Sequence, residues 1–408
     1  MLRIISGAVC ALALAAPGAA QTAGQAERSD HVQFRPIIDA RLRYEHVDQG
    51  VLDADALTLR LRAGVEARYG PFTLLAESEA TVAPVNDYNA FAFPLVNERQ
   101  RRPQYAVVAD PENIELNRLQ LQYRLSQNVV TLGRQRINLD DQRWVGSVGW
   151  RQNEQTFDAL RLEARLGPVQ ADLSYAISQR TIFGGDAGPR SAFDGDFLFA
   201  GVSARAGPFE GKLFAYLLDY DEDFFLSNSS QTYGGILSGR IPLGADRNLS
   251  LRASYARQAD YGRNPFDYAA DYWSIEGGTT LAGFTITAGW ERLGSDSGRA
   301  VQTPMATLHR FNGWADLFLT TPPGGLDDAY VSIGRRFEGF RPLPGLNFSL
   351  AFHQFDSAAG DIEYGTEWDA SVGFRLGRVA LLVKYADYDA RGFGADTRKF
   401  WLQAEWAF

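Results

Sequence analysis

Along most of this chain apolar and polar residues alternate one by one, and so regular a two-residue rhythm admits few folds. In Leu57-Thr58-Leu59-Arg60-Leu61-Arg62-Ala63-Gly64-Val65-Glu66-Ala67-Arg68-Tyr69 every odd position is apolar and nearly every even one polar. A helix would scatter Leu57, Leu59 and Leu61 over different faces, whereas a strand gives one oily and one wet side. The pattern returns in segments 160–166, 169–175, 249–255, 284–290 and 368–376.

Turns impose a second rhythm. Tight breaks fall at Gly70-Pro71, Ser126-Gln127-Asn128, Gly167-Pro168, Gly207-Pro208, Ala282-Gly283 and Gly377-Arg378. Between them lie longer polar loops at 81–113, 137–155, 181–195, 221–230 and 295–308. Short turns at one end and long loops at the other mark an outer-membrane barrel, with the short end periplasmic. The expected fold is therefore all-β, a transmembrane antiparallel up-and-down β-barrel of about eighteen strands. Sixteen stays open, because the phase is unclear in 129–136 and 209–220. Either number leaves an aqueous channel rather than a packed interior.

Composition agrees where it bears on this. No mature run reaches the roughly 18–20 apolar residues of a membrane helix, and the mean hydropathy of −0.22 suits strands that are oily on one face only. Arg3, the apolar stretch 4–16 and Gly18-Ala19-Ala20 read as a signal peptide over residues 1–20. Residues 21–33 read as a disordered mature start and 34–408 as the barrel. The single cysteine, Cys10, falls in the leader, so the mature chain needs no disulfide. The formal charge of −9 argues against nucleic acid as a partner. A final strand with Phe400, Leu402, Ala404, Trp406 and Phe408 on one face resembles the signal read by the barrel assembly machinery. Outer-membrane lipid and lipopolysaccharide are the other expected contacts. A soluble β-sandwich is the competing fold; it would bury these oily faces in one core.

The chemistry lies in the wet phase. Only Lys212, Lys384 and Lys399 among 40 basic residues are lysine. Arginine stays charged and grips carboxylates through two parallel hydrogen bonds. Alternation points Arg60, Arg62 and Arg68 inward, and with them Arg41, Arg43, Arg118, Arg124, Arg161, Arg165, Arg205, Arg252 and Arg375. Glu66, Glu77, Glu79, Glu163, Asp172, Glu367 and Asp369 share that phase. Two outcomes follow: the charges pair across neighbouring strands and keep the wall wet, or a local excess of arginine attracts anions. The cluster Asp219, Asp221, Glu222 and Asp223 reads as a solvated loop. His31, His46, His309 and His353 show no metal-ligand spacing, and no serine partner is evident for His353. Neither catalysis nor a cofactor is expected.

Several stretches together resemble the alginate-export family of outer-membrane porins. They are Leu132-Gly133-Arg134-Gln135-Arg136, Asp140-Asp141-Gln142-Arg143-Trp144-Val145-Gly146 and Phe157-Asp158-Ala159. Toward the C-terminus come Phe311-Asn312-Gly313-Trp314-Ala315-Asp316, Tyr364-Gly365-Thr366-Glu367-Trp368-Asp369, Lys384-Tyr385-Ala386-Asp387-Tyr388-Asp389 and Asp396-Thr397-Arg398-Lys399. The resemblance implies an eighteen-stranded monomeric barrel with an electropositive constriction suited to polyuronate chains. By position it implies Arg134, Arg136, Arg143 and Asp316 as pore residues. The family's best-known exporter closes its pore with a long periplasmic loop near the C-terminal end. Here the corresponding turn is Gly377-Arg378, which suits passive passage of small acidic sugars or other anions. The second functional class is a non-conducting scaffold or adhesin acting through loop 81–113, a loop that either binds a partner or folds inward.

Overall fold

The structure, a computed structural model, describes residues 31–94, 96–244 and 247–407. The expected signal peptide, most of the 21–33 segment and the terminal Phe408 lie outside the described residues. Twenty strands follow one another along the chain. The first are β1 (Gln33–Gln49), β2 (Leu52–Tyr69), β3 (Phe72–Asp87), β4 (Asn113–Leu125) and β5 (Asn128–Gln135). Next come β6 (Thr156–Leu166), β7 (Val169–Arg180), β8 (Ala192–Ala206), β9 (Phe209–Tyr220) and β10 (Ser230–Pro242). After β11 (Asn248–Asp260), β12 (Ala269–Leu281) and β13 (Phe284–Leu293), a loop carries the small hairpin β14 (Ser295–Asp296) and β15 (Arg299–Ala300). The series ends with β16 (Leu326–Arg336), β17 (Asn347–Asp356), β18 (Glu363–Leu376), β19 (Val379–Ala390) and β20 (Thr397–Ala407).

Apart from the hairpin, all belong to one 18-stranded sheet. Each strand pairs antiparallel with its sequence neighbours, β13 pairs with β16, and β1 closes the cylinder on β20 from Asp39↔Ala407 to Gln49↔Thr397. Closure leaves no free edge. Eighteen strands, not sixteen, is the answer. Segments 129–136 and 209–220, ambiguous in sequence, are β5 and β9. One boundary moves: β3 continues to Asp87, so the loop expected from Thr81 begins at Tyr88.

The barrel is inside out relative to a soluble protein. On β2 the leucines Leu59 and Leu61 are exposed while Thr58, Arg60 and Arg62 between them are buried. The same inversion holds on β4, where Leu119, Leu121 and Tyr123 face outward. Aromatic pairs on the outer wall flank this apolar belt. Phe72–Tyr123 (5.1 Å between ring centroids) and Phe284–Phe348 (6.3 Å) lie near the short turns. Tyr255–Trp273 (4.4 Å) and Phe352–Trp368 (4.9 Å) lie nearer the long loops. Such girdles sit at the two membrane–water interfaces. The outward placement is testable at Leu61, which is 47% exposed. Leu61→Arg puts a charge on the lipid face at a cost of about 2–4 kcal/mol near the midplane. The yield of barrel refolded into vesicles, read as the mobility of unheated samples on gels, is expected to drop. An unchanged yield contradicts the assignment.

Candidate functional site: a lumen narrowed by its own loops

Three loops from the long-loop end, 88–112, 136–155 and 301–325, fold into the cylinder. A chain entering a polar lumen must satisfy its backbone groups there, and wall arginines do much of this. Arg41 Nη1 donates to the carbonyls of Gly149 (3.0 Å), Trp150 (3.1 Å) and Arg151 (3.2 Å). The N–H of Gln152 donates to Asp110 (2.7 Å), on loop 88–112, and that of Glu154 to Glu79 (2.9 Å). The other end of loop 136–155 reaches across the barrel. There Asp140 accepts from Lys212 on β9 (2.8 Å), and Asp141 pairs with Arg252 on β11 (3.0 Å).

Loop 301–325 rests on this crossing segment. Val145 bridges Met305, whose carbonyl accepts from the Gly146 N–H (2.9 Å). Asn312 and Gly313 both take positive φ, 57° and 81°, which these two residue types tolerate. The turn aims the N–H groups of Trp314 and Ala315 at Asp369 (3.3 Å) and Glu367 (2.7 Å). Below it Asp316 pairs with Arg151 (2.7 Å) and Lys399 (3.2 Å), and accepts from His309 Nδ1 (2.7 Å). Lys384 Nζ donates to His309 Nε2 (2.7 Å), so the ring is the neutral Nδ1–H tautomer. Trp150 stacks on His309 (4.5 Å) and carries the Arg43 guanidinium on its face (4.0 Å).

Burial pushes the His309 imidazole well below its ordinary value. Burial opposes ionisation of Asp316, but His309, Lys399 and Arg151 around it keep that carboxyl well below the usual range. A released loop binds a proton at His309 below about 6.5, the ordinary histidine value, while the seated loop does not. Seating therefore weakens as pH falls through that value; loss of the Asp316 charge enters only at far lower pH. Limited trypsin cleavage after Arg310 is expected to accelerate in mildly acid buffer and to lose that dependence in His309→Gln. A pH-independent wild type contradicts this.

The wall under the loops holds a cluster of paired charges. Glu154 takes Arg62 (2.7 Å) and Arg136, Glu77 takes Arg118 (2.6 Å) and Arg136 (3.3 Å), and Glu79 takes Arg62. A β-bulge opposite Glu77 turns consecutive Asn117 and Arg118 to the same carboxylate. Beside it Arg60 pairs with Asp39 and Glu405, and Arg41 with Glu405 (3.0 Å). Burial opposes the Glu154 charge, yet Arg136, Arg62 and Arg60 hold the carboxyl far below its ordinary value.

These placements sort the residues expected to line the pore. Arg118, Arg136, Arg161 and Arg252 face the lumen with part of each side chain in contact with solvent, every one beside a carboxylate. Arg375 is half-buried in the inward phase. Three arginines do not line open water. Arg60 and Arg62 are buried on the wall beside Asp39 and Glu79, and Arg143, on loop 136–155 itself, is buried against Glu291, Thr303 and Asn312. Asp316 is likewise a buried loop anchor. Arg134 is on the other side of the wall: it shares the phase of the exposed Val130 and Leu132, opposes Leu119, and pairs there with Asp158 (2.8 Å). His353 faces inward as expected and holds Asp328 (2.9 Å).

Space remains beside loop 301–325, in a pocket against β11–β13 and β16–β18 whose empty space, with the open solvent at its mouth included, is about 880 Å³. Arg252 and Arg310 bring positive charge, Glu276, Asp328 and Asp369 negative charge, and Phe311, Trp314 and Tyr330 ring faces. Among the described residues Arg310 has no carboxylate partner; its guanidinium lies over Phe311 at 5.7 Å. Among the described residues Glu276 accepts from the Tyr330 hydroxyl alone (2.6 Å). The arrangement can hold a carboxylate at its guanidinium groups and hydroxyl groups at its carboxylates.

Residues 99–371 match the family described as alginate export. The chain belongs to that family. This alginate-export barrel also shares its fold with solved porins. It superposes on OpdO of Pseudomonas aeruginosa with a TM-score of 0.69 at 15% identity, over 92% of this chain and 97% of that one. For OccAB4 of Acinetobacter baumannii the TM-score is 0.71 at 13% identity, over 92% and 98%. For P. aeruginosa OpdK solved with vanillate it is 0.69 at 15%, over 91% and 98%. No curated protein matches the chain in sequence at a significant level. Within the alginate-export barrel, sequence reasoning missed Arg151, Glu154, Arg310 and Lys384. The run Arg151-Gln152-Asn153-Glu154-Gln155 was a signal for the first two, since five long polar side chains in one loop ask for partners.

Proposed function

We propose that this barrel is a passive outer-membrane conduit for compact anionic solutes, uronate-type sugar acids among them. The observation that carries the reading is the cavity beside loop 301–325, which gathers Arg252 and Arg310 with Glu276 and Asp328, Arg252 and Glu276 side by side on β11 and β12. A sugar acid satisfies both kinds of group: its carboxylate meets guanidinium, its hydroxyls donate to carboxylates, and its ring lies on Trp314 or Phe311. Because carboxylates share the lining, the expected anion preference is modest. The crossing of loop 136–155 favours compact solutes over a polymer. A closed barrel with an apolar outer belt supports the outer membrane as its location, and polysaccharide passage is the family's suggestion rather than the cavity's.

The same inward loops are what a non-conducting scaffold would need, and bilayer recording separates the two. Under a salt gradient the wild type is expected to show a reversal potential of anion-preferring sign, with galacturonate reducing the chloride current. Arg252→Ala combined with Arg310→Ala should move the potential toward zero and abolish that competition. An unchanged potential in the double variant contradicts the assignment of these arginines, and absence of any current contradicts the conduit.

A further inference from the structure

At the short-turn end the outer wall carries an arginine without a counter-charge. In the ladder Arg335 on β16 stands between Phe284 on β13 and Phe348 on β17, all three in the outward phase. The next outward row is Ile286, Ile333 and Leu350, where the apolar belt begins. The Arg335 guanidinium lies over the rings of Phe284 (4.8 Å) and Phe337 (4.9 Å), beside the bare turn at Gly283. Among the described residues it has neither a carboxylate nor any other acceptor. Outward arginines at the long-loop end differ. Arg257 has Asp271 (3.0 Å), Arg292 has Asp327 (2.6 Å) and Arg398 has Asp387 (3.2 Å). Beyond Arg335 the chain runs into connection 337–346, longer than the tight breaks at Ala282-Gly283 and Gly377-Arg378. Its backbone is pinned: Phe337 N–H donates to Leu346 (2.8 Å), Leu346 N–H to Leu343 (3.1 Å) and Arg375 N–H to Pro344 (2.9 Å). Pro342 and Pro344 stiffen it further. It presents Phe340, 43% exposed, next to the exposed Arg341. Its one acid, Glu338, is met by Arg336 (3.5 Å).

We infer that Arg335, with Arg341 on the connection that follows it, binds an anionic phospholipid of the periplasmic leaflet. Three features select that ligand. The guanidinium calls for an oxyanion such as phosphate, which it takes through parallel hydrogen bonds. Its place at the edge of the apolar belt calls for an anion that carries acyl chains. A soluble anion makes the charged contact without the apolar one. The third feature is the lack of a free carboxylate among the described residues of this row. A zwitterionic headgroup brings an ammonium that finds no partner here, whereas phosphatidylglycerol brings none. A glycolipid head, rich in hydroxyl donors, needs acceptors that the row does not offer. Basic side chains whose stems lie along apolar surface hold anionic headgroups at the level of the interface. The site rests on the geometry of the outer wall and is independent of the conduit reading.

The test uses the full mature chain, folded in a neutral detergent and offered phosphatidylglycerol and phosphatidylcholine of identical acyl chains in equal amount. Native mass spectrometry reads which lipid stays on the barrel. At about a factor of five for each basic residue near a headgroup, two arginines predict a preference for phosphatidylglycerol on the order of tenfold or more. That preference should shrink as salt rises. Arg335→Gln combined with Arg341→Gln should bring it close to parity, with Arg335→Gln alone falling between. Arg398→Gln, in the outward phase at the other end, should leave it unchanged. Each variant is checked as a folded barrel by its mobility on unheated gels. A preference retained in the double variant, or lost equally in Arg398→Gln, overturns the site. So does its abolition by millimolar inorganic phosphate at constant ionic strength, which would mark a site for soluble anions.

Discussion

Asp316→Ala is expected to unseat loop 301–325 and raise the single-channel conductance. Asp316 is the shared counter-charge of Arg151 and Lys399 and the acceptor for His309, and all four side chains are almost fully buried. Removing one partner of a buried ion pair costs about 3–5 kcal/mol, because the remaining charge is left unpaired. At about 1.4 kcal/mol per factor of ten, the seating equilibrium shifts roughly a hundredfold or more. The barrel keeps its ladder, so the change appears as larger or noisier current steps and faster cleavage after Arg310, not as loss of the folded protein. Asp316→Asn keeps the shape and one acceptor and should fall between. Wild-type conductance in the alanine variant would falsify the seating of this loop.

Glu154→Gln is expected to act on selectivity in the opposite sense from the cavity variants. Glu154 faces Arg62 and Arg136 directly, with Arg60 and Arg118 close enough to depress its proton affinity further. Neutralising it leaves Arg62, Arg118 and Arg136 against Glu77 and Glu79 alone, a local excess of positive charge. The buried pairs lose about 3–5 kcal/mol of mutual stabilisation, and the guanidinium of Arg136, the most open of the group, turns toward water. Reversal potentials should move toward stronger anion preference. A shift toward cations, or none, contradicts the view that this wall is neutralised by pairing and conducts next to a balanced surface.

The strands were legible because lipid and water demand opposite side chains at successive positions. Where the rhythm blurred, the reason is physical. β9 is apolar in both phases because its inner face, with Phe214, Tyr216, Leu218 and Tyr220, packs against aromatic side chains of neighbouring strands and loops instead of water. β5 blurred because Val129, an inward residue, is also covered by protein. Alternation reports the medium on each side, and a lumen filled with chain is not water.

The site was less legible. Resemblance suggested Arg134 as a pore residue, and with the phase of 129–136 unclear nothing local opposed it; the folded strand puts it in the outward phase of Val130 and Leu132. Arg60 and Arg62 were placed on the correct face, but nothing local shows that a loop from elsewhere will cover them. The contacts that do so span long separations, such as Arg41 to Trp150 and Arg151 to Asp316. Pairing rather than a bare ring of arginine is what β1, β2 and β3 show: Asp39 stands opposite Arg62 in one ladder and Glu79 stands opposite it in the next. Both charges were visible in the wet phase, but register was not.

Single-channel recording of the purified protein in planar bilayers tests the whole most directly. A hydrated lumen narrowed by seated loops predicts discrete, ohmic steps, smaller than an unobstructed eighteen-stranded cylinder allows and enlarged by Asp316→Ala. Folded barrel that inserts yet leaves the membrane electrically silent, in both wild type and variant, contradicts it.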